Sequence, residues 1–376
     1  MPLNPLKSLF SRKSTADGAE EKLSPDSPCY AYAFPSPYKR PRILVLVDKV
    51  STPYFLYFHY ILLRLHNTES LAFFVLESAE VNQWTQQKSQ EAFVEQVIAD
   101  TQPTLVIFSQ YEQPYADVLP ALFKAHNASV VCHVCQEGST QAAQRQILEQ
   151  ADLLYAASPY LGDRLSTQFP NKTIFSAQAT PYLDCLVSEY QPKQRAITIG
   201  CASSSADQED LDAIAADIAR ILTDYPQAQF EVLGIPSMPD VLLPFGTRVR
   251  VRNEAANYDI FLSELKQLGW TVGLLPQQDT EANHSQLPSQ YLAYTACGIP
   301  TIASNSAVYN QFENDSVESE QKILLTQPDQ WYDSIKRLID SEAQCSTIVA
   351  NAQTYCQQNF SLEVVEAQIK ELIALA

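Results

Sequence analysis

Residues 42–50 read "RILVLVDKV", an apolar run broken only at Asp48. A strand with one face in water alternates, so a continuous run predicts a strand covered on both faces, as in a parallel sheet. The stretch "PYFLYFHYILLRL" (53–65) that follows has the length and apolar content of a helix packed on such a sheet. The alternation then continues: "LAFFVLE" (71–77) as strand, "QQKSQEAFVEQVIAD" (86–100) as helix, "PTLVIFS" (103–109) as strand, "PYADVLPALFKAH" (114–126) as helix, "ASVVCHV" (128–134) as strand, "TQAAQRQILEQ" (140–150) as helix and "ADLLYAAS" (151–158) as strand. Strands separated by helices of this length predict βαβ units, a parallel sheet, and ligands outside the carboxyl ends of its strands.

Near "YQPKQRA" (190–196) this series halts and a second one opens with "AITIGCASSS" (196–205) as strand and loop. A helix from about 206 to 222, the strands "AQFEVLG" (228–234) and "RVRVR" (248–252), a helix around "DIFLSELKQLG" (259–269), the strand "WTVGLLP" (270–276), a helix starting near Pro288 and the strand "PTIAS" (300–304) follow, and the last forty residues are helical. Two open α/β domains in tandem, their strand-end faces opposed across a cleft, suit a two-substrate enzyme. The expected boundaries are a mobile extension over 1–40, a first domain over 41–190, a second over 191–355, and a C-terminal helix over 356–376 packing back on the first. The extension ("SRKSTADGAEEKLSPDSP", 11–28) has too few apolar residues to offset the cost of ordering it. Its "PLKSLF" (5–10) is a candidate for peripheral contact with a membrane.

The 376 residues carry 25 Lys plus Arg against 43 Asp plus Glu, a formal charge of −18 that argues against nucleic acid as a partner. Eight cysteines lie scattered, several in apolar runs where a reduced thiol acts as a small hydrophobe. With no apolar leader and no eighteen-residue apolar stretch, the chain reads as soluble and cytoplasmic. Only nine glycines are present where average use of about 7% would give over twenty, so Gly-rich phosphate loops are scarce.

The second series ends in "LPSQYLAYTACGIPTIAS" (287–304), preceded by Asn283. The order of strand and loop at 196–205, long helix, "FEVLG", "WTVGLLP" and then "YLAYTACGIPTIAS" resembles the retaining family 4 glycosyltransferases of the GT-B fold, particularly bacterial enzymes of surface polysaccharide synthesis. The resemblance is clearest over 196–304, where Ala296, Gly298 and Pro300 match the tail of the signature, and weaker over "DLLYAASPYLGDRLS" (152–166). It implies a GT-B architecture of two Rossmann-like domains and transfer of a sugar from a nucleotide-sugar donor to a glycan or lipid-linked acceptor. No cofactor and no metal are expected, the nucleotide-sugar being a substrate.

A diphosphate also fits the residues read on their own. A helix starting near Pro288 presents unpaired N–H groups and partial positive charge, with Asn283, Ser285, Gln286, Gln290 and Tyr291 beside it as donor-site candidates. Gly200, Ser203, Ser204 and Ser205 form a second candidate phosphate cradle, or else a helix cap. The signature's two glutamates fall here on Ser285 and Ala293, and its lysines on Gln286 and Gln290. Losing charge-assisted hydrogen bonds worth about 1.5–3 kcal/mol each weakens donor binding by roughly a hundredfold or more unless neighbours substitute. A catalytically degenerate GT-B protein that binds a glycan, a nucleotide or a partner subunit is therefore the alternative.

In the first series, Asp48, Lys49 and Ser51 follow a strand end and are candidates for substrate contact or for capping. His133, also at a strand end, is a candidate acid or base, with a hydrogen-bonded structural role as the plainer reading. Glu137 stands where related enzymes carry aspartates, and is otherwise a surface carboxylate. Cys132 and Cys135 have CxxC spacing but end a strand rather than open a helix, which favours structural cysteines. The aromatic run 54–60 reads as core before it reads as a stacking platform.

Overall fold

Two sheets, each with six parallel strands, organise the chain, which is seen here in a computed structural model. The structure describes residues 21–22, 27, 29–31, 40–50, 54–68, 71–111, 115–135, 142–177, 182, 190, 197–202, 208–234, 237–253, 258–313 and 320–376. Contacts divide it into Met1–Ala179 with Glu363–Ala376, and Thr180–Leu362.

The first unit carries β1 (Glu21–Lys22), β2 (Tyr30–Ala31), β3 (Arg42–Val47), β4 (Ala72–Glu77), β5 (Leu105–Ser109), β6 (Ser129–Val134), β7 (Leu153–Ala156) and β8 (Thr173–Ser176). They pair in the order β1-β2-β4-β3-β5-β6-β7-β8, with β1 and β2 antiparallel at one edge. Its helices are α1 (Tyr60–Asn67), α2 (Ser78–Thr85), α3 (Gln90–Thr101), α4 (Leu119–Ala125), α5 (Ala142–Gln150) and α6 (Pro159–Gln168). A π-helical turn, Phe55–His59, leads into α1. The apolar run behaves as its composition predicts: all of β3 is buried, since parallel strands lie on both sides of it and helices cover both faces. Ser89 and Ser158 begin α3 and α6 by accepting N–H bonds from Ala92 and Leu161, caps worth about 1 kcal/mol each.

The second unit carries β9 (Thr198–Ala202), β10 (Gln229–Leu233), β11 (Val249–Arg252), β12 (Val272–Leu275), β13 (Thr301–Ser304) and β14 (Leu324–Thr326), all parallel, in the order β11-β10-β9-β12-β13-β14. Numbered from β9 this is 3-2-1-4-5-6, the dinucleotide-fold order, in which direction reverses between β9 and β12. Its helices are α7 (Gln208–Asp224), α8 (Tyr258–Leu268), α9 (Glu281–His284), α10 (Ser289–Ala296), α11 (Ala307–Asn310), α12 (Trp331–Ile339) and α13 (Glu342–Phe360). In α7 the residues Leu211, Ile214, Ala215, Ile218, Ile221 and Leu222 recur at steps of three and four, forming one stripe that is buried on the sheet. In α10 the stripe widens until Tyr291 to Ala296 are all buried.

Three features depart from the sequence reading. Part of the expected mobile extension joins the first sheet: β2 pairs with β4, Cys29 is buried, and the Ser27 hydroxyl donates to Asp100. The first boundary lies at 179/180 rather than 190/191, because the Tyr182 N–H donates to the Phe360 carbonyl at 2.7 Å within the second unit. The last boundary lies at 362/363 rather than 355/356, because α13 runs unbroken to Phe360, which packs 6.0 Å from Phe312. The final helix α14 (Leu362–Leu375) joins the first unit from Glu363 onward, where Arg64 of α1 grips Glu366 and Glu363, each at 2.7 Å. No helix among the described residues is long and apolar enough to cross a membrane.

Candidate functional site

In the second unit the strand order places the switch point between β9 and β12, and everything that gathers there comes from the segments leaving those strands. After β12 the chain runs from Pro276 through α9 to the start of α10. Its shape is held by side-chain amides: the Gln277 N–H donates to Ser304 Oγ (2.8 Å), Gln277 Oε1 accepts from the Ser306 hydroxyl (2.8 Å), and Gln277 Nε2 donates to Gln286 Oε1 (3.1 Å). Gln286 Nε2 donates to Asn283 Oδ1 (2.9 Å), and Asn283 Nδ2 donates to the Gln278 carbonyl (2.8 Å). The Gln278 N–H donates to Asp210 in the first turn of α7 (2.9 Å), and Thr280 caps α9. Each amide both gives and receives, so the chain Gln277–Gln286–Asn283–Gln278 is a preformed run of neutral hydrogen-bonding groups.

Electrostatically the mouth is unusual for an anion site. No Lys or Arg occurs between Lys266 and Lys322, and Asp210 faces the loop. The positive potential available from this stretch is the start of α10, where Pro288 supplies no side-chain cap to the first N–H groups.

Of the donor-site candidates, Asn283 and Gln286 belong to this amide run, and Gln290 lies half-buried in the first turn of α10. Ser285 is fully buried at the end of α9. Tyr291 points elsewhere: its ring lies 4.2 Å from Phe312 and its hydroxyl donates to the Lys322 carbonyl (3.1 Å), so it packs α10 instead of lining the mouth. Gly200 has a packing task in place of the expected phosphate contact: a Cβ there would come within 1.7 Å of the Trp270 ring. Gly200 pairs with Gly273 on β12, where a Cβ would meet Tyr294 at 2.6 Å, so two adjacent glycines form a flat floor for two aromatic rings. Trp270 and Tyr294 meet edge-on at 5.7 Å, and Trp270 Nε1 donates to the buried carboxylate of Glu231 (3.1 Å). Ser203, Ser204, Ser205, Ser51 and Glu137 lie outside the described residues.

The first unit brings its own candidates to strand ends. Ser109, His133 and Tyr155 are register partners across β5, β6 and β7. His133 Nδ1 shares a hydrogen bond with Ser109 Oγ (2.9 Å), and its ring is boxed by Tyr57 (4.7 Å), Phe58 (4.9 Å) and Tyr155 (4.7 Å). Complete burial drives its pKa down to about 3. The imidazole is therefore neutral near pH 7 and has no acid form to offer. Among the described residues, neither His133 Nε2 nor the Tyr155 hydroxyl has a partner. Burial pushes the Cys132 and Cys135 thiols up to about 12, which leaves both protonated and poorly nucleophilic. The Asp48 carbonyl accepts from Ser78 Oγ (2.9 Å), the Val50 N–H is held by Glu77, and Lys49 is exposed. No group of three His, Cys, Asp or Glu among the described residues is arranged as a metal site.

Asp210, Gln277, Gln278, Ser304, Ser306 and Tyr294 escaped the sequence reading. The signal for two of them was present: "PQQD" (276–279) directly follows a strand at the reversal of sheet order, where ligands bind.

No family model matches this chain, and no curated protein matches it in sequence. Among solved structures it is similar to HepE of Anabaena in complex with UDP and glucose, at 14% identity over 89% of this chain and 99% of that one, with a TM-score of 0.60. It is similar to the E. coli trehalose-6-phosphate protein bound with UDP-2-fluoro glucose, at 11% identity over 88% of this chain and 98% of that one, with a TM-score of 0.58. A TarM mutant of S. aureus in complex with Fondaparinux, alpha-GlcNAc-glycerol and UDP matches at 14% identity over 75% of this chain and a TM-score of 0.56, and the chain spans 57% of its length. The fold is GT-B.

Proposed function

We propose that this protein is a glycosyltransferase that takes a sugar from a nucleotide-activated donor, with the donor diphosphate seated at the switch point of the second unit. One observation carries the reading: the reversal between β9 and β12 is lined by a preformed amide run and by the uncapped start of α10, on a fold whose neighbours hold UDP, UDP-glucose or UDP-2-fluoro glucose. The leaving diphosphate is stabilised by groups that already point at it. Helix N–H groups and amide donors need no reorganisation as charge develops on the leaving oxygen, and such preorganisation is where catalysis of this kind gains most. Gln286, Asn283 and Gln290 stand in for the charged side chains that the family resemblance leads one to expect. The acceptor is a glycan or a lipid-linked glycan of surface polysaccharide synthesis, and the protein works at the cytoplasmic side, with contact at the inner face of the membrane. Release of nucleoside diphosphate from a panel of nucleotide-sugars, with and without oligosaccharide acceptors, tests this. Turnover of one donor above the no-enzyme rate is expected, and the absence of turnover with every donor refutes the catalytic reading.

A second reading is favoured by a separate observation. The 55-residue interval without Lys or Arg, and the burial of Ala293 where the resemblance has a ribose-binding glutamate, suit a GT-B protein that binds nucleotide, glycan or a partner subunit without transfer. Nucleotide binding with no turnover selects it.

A further inference from the structure

The last register pair between β9 and β12 is Cys201 with Leu274, and beyond it the two strands part to send out the two segments that hold the donor candidates. One side chain sits in that fork. The Tyr294 hydroxyl accepts the N–H of Ala202, the last residue of β9, at 2.6 Å, and donates toward the carbonyl of Leu274 on β12 at 3.4 Å. Its ring is fully buried over Gly273, and the neighbouring Trp270 lies over Gly200, so nothing larger than hydrogen on either strand keeps these rings from the backbone. Tyr294 comes from the second turn of α10, so one residue connects the uncapped helix to the ends of both switch-point strands.

We infer that Tyr294 is a positioning residue for the donor site: its hydroxyl sets how far the ends of β9 and β12 stand apart, and with them the segments at 203–207 and 276–288. The inference rests on the donor reading above and adds to it a residue that touches no ligand. A hydroxyl is required because the fork presents one donor and one acceptor, and a single O–H answers both. Burial holds the phenol far above its ordinary pKa, consistent with an intact O–H. A phenylalanine fills the same space and leaves the Ala202 N–H and the Leu274 carbonyl without that bridge.

The test compares Tyr294→Phe with Tyr332→Phe. Tyr332 also belongs to the second unit and also loses one hydroxyl contact, to Asp224, but that contact lies at the far end of α7 from the switch point. Amide hydrogen exchange of the whole protein is measured alongside the dissociation constant for UDP-glucose. Tyr294→Phe is expected to speed exchange at Ala202 and across 276–280 by about tenfold or more, with the remaining amides near wild type, and to weaken UDP-glucose binding by about tenfold, the size of one lost hydrogen-bond bridge. Tyr332→Phe is expected to change neither by more than about twofold. Unchanged exchange at Ala202, or faster exchange with unchanged affinity, overturns the positioning role while the donor reading stands. Equal loss of affinity in both variants also overturns it, since that is a general stability effect. Wild-type protein that binds no UDP-glucose, UDP or other nucleotide-sugar overturns the donor reading and the donor-positioning role with it, and the exchange data still decide whether the hydroxyl ties the two strand ends.

Discussion

Replacing Gly200 with alanine should be among the most damaging small substitutions in the second unit. The added Cβ would stand 1.7 Å from Cδ2 of Trp270 and 2.1 Å from Cε3, about half of a normal carbon contact, and the obstacle is a rigid indole, not the end of a flexible chain. Trp270 must move, and it is held on three sides: by the strand below, by Tyr294 at 5.7 Å, and by the bond from its Nε1 to Glu231. Overpacking of this kind costs about 1–3 kcal/mol. Breaking a hydrogen bond to a buried carboxylate adds about 1.5–3 kcal/mol. A total near 3–5 kcal/mol lowers the melting temperature by roughly 6–20 °C for a unit of this size. Thermal unfolding followed by circular dichroism reads the effect. Because the cost is routed through one side chain, Gly200→Ala should cost less than about 1 kcal/mol in a Trp270→Ala background, a coupling of about 2 kcal/mol or more. A cost of the same size in both backgrounds refutes the packing argument. Loss of nucleotide binding without loss of stability would return Gly200 to the phosphate role.

Further consequences can be checked directly. His133 and His59 are both buried neutral with pKa near 3 against an ordinary 6.5. The unfolded chain takes up those protons more readily, so stability is full above about pH 6.5 and falls by about 1.4 kcal/mol per pH unit per histidine as pH drops toward 3. Urea midpoints between pH 7 and pH 4 should show that slope, flatter by one histidine's share in His133→Asn. Cys132 and Cys135 should resist iodoacetamide at pH 8 in the folded protein and react on unfolding, as read by peptide mass spectrometry; rapid native labelling would contradict their burial. Gln277→Ala removes contacts to Gln286 and Ser306 and should weaken nucleotide binding by about tenfold while lowering the melting temperature by no more than about 4 °C, measured by calorimetry and thermal unfolding.

What the sequence made legible follows from the physics of buried parallel strands. "RILVLV", "FFVLE" and "LVIFS" are continuous apolar runs because helices cover both faces, and such runs are visible without partners. Strands β8 and β14 were not, since Thr173–Ser176 is largely exposed at an edge and Leu324–Thr326 is only three residues long. The turn of 3-10 helix at Asp240–Arg248, which contains Pro244 and bends at Gly246, carries no helical period to read. At the site, Asn283 and Gln286 were legible because they stand between a strand and a helix start. Gly200 was misplaced because its role is set by Trp270, which approaches from another strand connection, and Tyr291 because helical spacing alone does not say which side of α10 meets Phe312. Tyr294 was hidden for the same reason: a tyrosine in a buried helix reads as core until the fork beneath its hydroxyl is seen.

The central claim is that the switch point of the second unit holds a nucleotide-sugar. Thermal unfolding against a panel of nucleoside diphosphates and their sugar conjugates, with hydrogen exchange on any that bind, addresses it most directly. A ligand at a hundred times its dissociation constant adds about 2.7 kcal/mol, or roughly 5–10 °C for a unit of this size, and protection should concentrate in 276–290. No shift with any nucleotide, or protection confined to the first unit, would contradict the account.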